Sequence, residues 1–140
     1  MTTTTEGSLV RDLAELERLV TAVDGVCLRY SKGFEADAGS QSTDTESGLA
    51  LPGLSVNPLT PEAWWTRPLK DWLARQICQY KHLSERRDRH AWVLTGTCAG
   101  RGPDCEPLLT DIRPLGRLDP ALLEEAERIY EERFRARQGP

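Results

Sequence analysis

Residues 46–80 read ESGLALPGLSVNPLTPEAWWTRPLKDWLARQICQY, and the fold turns on how this stretch is divided. It carries three of the four tryptophans and four of the nine prolines of the chain. Pro52-Gly53 marks a sharp turn, and Pro58 removes a backbone donor that a continuing central strand needs. Between them Leu54-Ser55-Val56-Asn57 reads as a short strand. Thr60-Pro61-Glu62 starts a short helical turn that presents Trp64 and Trp65. Pro68 suits a first helical position. Leu69, Trp72, Leu73, Ile77 and Tyr80 then recur at helical spacing, the apolar stripe of a helix ending near His82.

Working outward, Leu13, Leu16, Leu19, Val20 and Val23 also recur at helical spacing. Asp12 and Glu15 stand as a capping box, and Gly25 lies just past the end. Residues 26–31, VCLRYS, are rich in strand formers. The next stretch, 32–47, is KGFEADAGSQSTDTES, a long polar loop that is either a binding element or disordered. On the far side, residues 84–90 (SERRDRH) form a charged, solvated connection. Residues 91–100 are a strand, Arg101-Gly102-Pro103-Asp104 turn, and residues 105–112 return as the hairpin partner. Asp119 caps a last helix with Pro120 at its first position, and Leu122, Leu123, Ala126, Ile129, Tyr130 and Phe134 give it a core face. The expected fold is α+β, a small and mainly antiparallel sheet with three packing helices in a single domain. That domain spans residues 9–137 and follows a disordered start at residues 1–8.

Bulk properties exclude several classes of function. The chain has 140 residues, 39% hydrophobic and 29% charged, enough for one core without staples. Its 18 basic and 22 acidic residues give a net charge of −4. No basic patch offers itself to nucleic acid. No apolar run approaches the roughly 20 residues that span a bilayer, and the start does not read as a signal peptide. The expected setting is therefore cytoplasmic, with the four cysteines as thiols. Cys27 and Cys78 read as buried, and Cys98 and Cys105 as facing each other across the hairpin. Their spacings match no zinc site, so no metal is expected.

The wording LRYSKG, SGLALPGLSVNPL, the helix from the Trp pair to Gln79-Tyr80, and WVLTGTCAGRGPDCEPLL resembles a family of short, uncharacterised actinomycete proteins over nearly the whole chain. A second resemblance concerns order alone. ADP-ribosyltransferase folds place an Arg or His on an early strand, a Ser on a middle strand and a Glu or Gln at a late one. Arg29, Ser55 and Glu106 look like that arrangement. The resemblance implies an Arg that clamps pyrophosphate, a Ser that orients the nicotinamide ribose, and a Glu that stabilises the sugar cation formed as nicotinamide leaves. The Ser-Thr-Ser run of that family is absent, since Val56 follows Ser55.

Two functional classes follow. One is a non-catalytic module that needs no cofactor and binds a small ligand or an unknown protein partner through the Trp-rich segment and the long loop. Its candidate contacts are Tyr30, Asn57, Trp64, Trp65, Arg75 and Arg101. The other is a nucleotide-handling enzyme that takes NAD and uses Arg29, Ser55 and Glu106 as its catalytic set.

Overall fold

The computed structural model describes residues 8–79 and 89–135. Expectations for residues 1–7, for Tyr80 and His82 at the end of the third helix, and for most of the charged connection lie outside the described residues. In chain order the elements are β1 (Leu9–Val10), α1 (Leu13–Ala22), β2 (Cys27–Ser31), α2 (Phe34–Asp37), β3 (Leu54–Ser55), β4 (Asn57–Pro58), α3 (Leu69–Gln79), β5 (His90–Arg101), β6 (Pro107–Leu118) and α4 (Pro120–Tyr130). A π-helical turn, Glu131–Arg135, extends α4. The fold is α+β in a single small domain, with the short α2 added to the three expected packing helices.

Local signals set the helix ends. The Asp12 side chain accepts from the Glu15 N–H at 2.9 Å, and the Glu15 carboxylate accepts from the Arg11 N–H at 2.8 Å. Asp119 accepts from the Ala121 N–H at 2.9 Å with Pro120 at the start of α4. No helix forms at residues 60–65, where the chain only turns, with the Trp65 N–H bonding the Glu62 carbonyl.

The sheet runs β1-β6-β5-β2-β4, antiparallel except for the parallel β1–β6 pair, and β3 also pairs with β6. Two expectations need correction here. The span 54–57 is not one strand. Leu54 and Ser55 pair with Leu109 and Leu108, whereas Asn57 and Pro58 pair with Leu28 and Cys27. Cys98 registers with Leu109 and Cys105 sits in the turn, so the two cysteines do not face each other.

Both follow from the coiling of the β5–β6 ribbon. Its register shifts between Val93 and Leu94, Thr95 and Thr97, and Cys98 and Gly100. Each irregularity adds twist, so the far end of the ribbon swings back over the sheet. A Cβ on Gly96 would lie 2.8 Å from the Thr110 carbonyl oxygen, which reserves that bulge for glycine. The returning end meets β3, β4 meets β2, and Val56 alone separates the two short strands. Residues 54–58 thereby close the curl.

Alternation along the strands builds two cores. Leu28 and Tyr30 of β2 and Ala91 and Val93 of β5 face α1, α3 and α4, with Leu13, Leu16, Leu73, Ile77 and Leu122 fully buried against them. Cys27, Val56, Trp92, Leu94 and Leu109 fill the inside of the curl. Burial pushes the Cys27 thiol up to about 12 from its ordinary 9.0, with Cys98 adding to the shift. Burial also raises the Tyr30 phenol.

Such groups bind protons more tightly in the folded chain than in the unfolded one. Their contribution to stability is therefore complete below pH 9.0 and falls as pH rises toward about 12. Urea midpoints should decline across that window, and Cys27→Ala should flatten the early part of the decline. An equally steep decline in Cys27→Ala excludes Cys27 as its source.

Candidate functional site

Strand β2 puts Arg29 between Cys27 and Ser31, on the face that looks into the curl, and this placement starts the site. Ser31 is 2% exposed. The chain then turns at Gly33, whose φ of 116° disfavours other residues, and α2 brings Asp37 back beside Arg29. Arg29 Nε donates to Asp37 Oδ2 at 2.7 Å. The same carboxylate oxygen accepts from Ser31 Oγ at 2.6 Å, and Ser31 Oγ accepts from the Trp92 indole Nε1 at 2.8 Å and from the Gly33 N–H at 3.1 Å. A segment that reads as plain polar loop thus carries a buried carboxylate, with two donors on its Oδ2.

Arg29 Nη1 donates to the Ser55 carbonyl at 2.8 Å. Ser55 Oγ in turn donates to Glu106 Oε2 at 2.6 Å, and Glu106 Oε1 accepts from the Asp104 N–H at 2.9 Å. Arg29, Ser55 and Glu106 come from three separated parts of the chain and form one hydrogen-bonded line. The hairpin turn is shaped for it. The Gly102 N–H bonds the Glu106 carbonyl at 2.8 Å, Cys105 takes a φ of 63°, and a side chain at Gly102 would run into the Glu106 carboxylate.

These groups border a hollow of about 180 Å³ lined by Leu28, Arg29, Tyr30, Ser55, Val56, Asn57, Asp104 and Glu106. It lies where β2 outruns its pairing with β4, which stops at the Leu28–Asn57 pair. Beyond Ser55 and Glu106 the hollow continues into a wider groove beside Asp44 and Glu46. The Asp44 carboxyl is held below its ordinary range by the Ser47 hydroxyl, which donates at 2.7 Å. Arg29 contributes one cation to the smaller hollow, already paired with Asp37, and Asp104 and Glu106 contribute two anions. The hollow therefore favours ligand atoms that carry hydrogen-bond donors or positive charge.

The remaining candidates divide. Tyr30 and Asn57 line this hollow, although the Tyr30 hydroxyl is spent on the Ile77 carbonyl at 2.9 Å. Asn57 is locked to Gln76, whose Nε2 donates to Asn57 Oδ1 at 2.8 Å and to the Pro58 carbonyl at 2.8 Å. Arg101 is exposed at the hairpin tip and donates to the Cys105 carbonyl at 3.2 Å. Trp64, Trp65 and Arg75 stand apart from the hollow. Trp64 is 65% exposed and meets Trp65 and Trp72 edge to face, with ring centroids 6.2 and 6.0 Å away. Trp65 packs on the helix-side core, and Arg75 lies over Trp72 while donating to Gln76 Oε1 at 2.7 Å. The segment thus supplies an aromatic cap for the core with one indole left in solvent.

Sequence reasoning missed Asp37, Gln76 and Trp92. Asp37 had no usable local signal, because an aspartate in a Ser- and Gly-rich stretch reads as solvated. Among the described residues, no cluster of three or more His, Cys, Asp or Glu is placed to hold a metal ion. No helix there is long and apolar enough to cross a membrane. Set against known proteins, residues 3–139 match a family described as being of unknown function, DUF6098. No curated protein and no solved structure matches the chain.

Proposed function

We propose, for a chain that belongs to the DUF6098 family, that the hollow at Arg29, Ser55 and Glu106 is a ligand site and that it handles the nicotinamide-ribose end of NAD. One observation carries the reading. The three residues expected from the order of ADP-ribosyltransferase folds stand within direct hydrogen-bond reach along one wall. Scattered residues of common types do not ordinarily meet in this way.

The chemistry of the lining fits that half of the ligand. Oxidised nicotinamide carries positive charge, which suits Asp104 and Glu106, and the ribose hydroxyls suit Ser55 and the carboxylates. In the reaction the bond between ribose C1 and the nicotinamide nitrogen breaks, and its electron pair leaves with nicotinamide. Positive charge develops at C1, where the Glu106 carboxylate stabilises it. Water or an acceptor hydroxyl or amine then bonds to C1 and gives its proton to the Glu106 carboxylate. Arg29 offers Nη2 toward a phosphate oxygen. The small hollow takes only part of a dinucleotide, so the adenosine half belongs outside it. The reading includes a cytoplasmic, actinomycete setting, in keeping with fifteen arginines against three lysines.

The direct test is thermal or urea unfolding with NAD. At a hundred times its dissociation constant NAD should add about 2.7 kcal/mol of stability. Nicotinamide release, followed by chromatography, separates an enzyme from a module that only binds. Trp64→Ala should leave the NAD response intact. A response lost in Trp64→Ala but retained in Ser55→Ala moves the site to the exposed indole and away from the hollow. No stabilisation at millimolar NAD ends this reading.

A further inference from the structure

Resting on the NAD reading, we infer that Asp37 is a positioning residue that aims the Arg29 guanidinium. An arginine side chain has a long flexible stem, and a guanidinium left to itself samples many directions. Here it is held at two points. Nε is fixed by Asp37 at 2.7 Å, and Nη1 by the Ser55 carbonyl at 2.8 Å. Among the described residues Nη2 has no partner, and Arg29 lines the hollow. The two anchors differ in kind. Ser55 supplies a backbone carbonyl on the strand that itself borders the hollow. Asp37 supplies a charged acceptor from behind, and it is itself fixed.

Burial and second contacts show how it is fixed. Asp37 is 8% exposed and Ser31 2% exposed. Ser31 Oγ donates to the oxygen that Arg29 uses, and it is held in turn by the Trp92 indole and the Gly33 N–H. The line therefore runs from the packed interior of the curl, through Ser31 and Asp37, to a guanidinium at the lip of the hollow. A carboxylate needed only to neutralise a partly buried arginine would not require this second layer. Asp37 also offsets the charge of Arg29, so the hollow gains a directed donor without becoming a strong trap for free anions.

Three readouts on the full chain test this. Asp37→Ala should lower NAD turnover about 100-fold, the scale of loss when a group slips by about an ångström. NAD binding, read by thermal shift, should weaken as well, because the phosphate oxygen loses a directed donor. Asp37→Asn keeps an oxygen acceptor for Arg29 Nε and should restore turnover to within about tenfold of wild type. The third readout is the ¹H–¹⁵N resonance of Arg29 Nε, which needs no NAD. It should be slow to exchange in wild type and Asp37→Asn and fast in Asp37→Ala. Equal turnover in Asp37→Ala and wild type, or an unchanged Arg29 resonance in Asp37→Ala, overturns the positioning role. If wild type neither binds nor consumes NAD, the functional reading fails by itself, and the resonance still decides whether Asp37 holds the guanidinium.

Discussion

Glu106→Gln should lower nicotinamide release from NAD by about 1000-fold while the protein folds and still binds the dinucleotide. Glutamine keeps the shape of the side chain and one oxygen, so either the Ser55 hydroxyl or the Asp104 N–H retains its acceptor. What disappears is the negative charge beside the position assigned to ribose C1. Loss of a group that acts on developing charge costs about 10² to 10³ in rate, and loss of a proton acceptor about 10² to 10⁴. Asp104 and the Ser55 hydroxyl remain to hold the ground state, so most of the effect should fall on kcat and the lesser part on KM. Steady-state kinetics with thermal unfolding in parallel make the measurement. A Glu106→Gln variant that releases nicotinamide at the wild-type rate removes Glu106 from the reaction.

The largest stability effect is expected at Trp92. Its indole is 3% exposed and fills the curl with Leu94, Leu109, Val56 and Cys27, meeting Phe34 edge to face at 6.4 Å. Trp92→Ala should cost about 3–5 kcal/mol, because the small inner core has few neighbours able to collapse into the space. Trp92→Phe keeps most of the volume and loses the hydrogen bond to Ser31 Oγ, for about 1 kcal/mol. Urea denaturation of the two variants measures both. A loss under about 1 kcal/mol in Trp92→Ala means that the inside of the curl is not a cohesive core.

How much of this was legible depends on whether the deciding contacts are local. The caps at Asp12 and Asp119 involve residues two or three positions away, so the sequence displays them directly. The same holds for the turn at residues 101–106. The division of 54–58 is different. Nothing within those residues says that Leu54 pairs with Leu109 while Asn57 pairs with Leu28; the ribbon that brings Leu109 around lies fifty residues downstream. Strand β6 also runs past its expected end at residue 112, to Leu118. Pro114 argues against a continuing strand, yet it sits opposite Leu94 beside a register shift, where a missing donor is tolerated. The two residues of β1 carry no periodicity at all, and only the parallel contact with Arg117 and Leu118 makes them a strand.

The site shows the same split. Arg29, Ser55 and Glu106 were singled out by their order along the chain. Their juxtaposition is a property of the closed curl, which no spacing rule contains. Asp37 is the sharper case. Residues 32–47 are polar enough to read as one loop, yet Phe34 packs on the inner core and draws α2 against the sheet. That docking buries the carboxylate, and the sequence shows the phenylalanine but not what it touches.

Closing the curl through a single residue also has a bearing on how the molecule is assembled. Short-range hairpins and helices form early because bringing their ends together costs little entropy, whereas the tie between residues 54–55 and 108–109 joins segments far apart along the chain. The hollow is therefore a product of completed folding. An intermediate in which the ribbon has zipped but the middle segment has not docked possesses helices and strands, yet has nowhere for a ligand to sit.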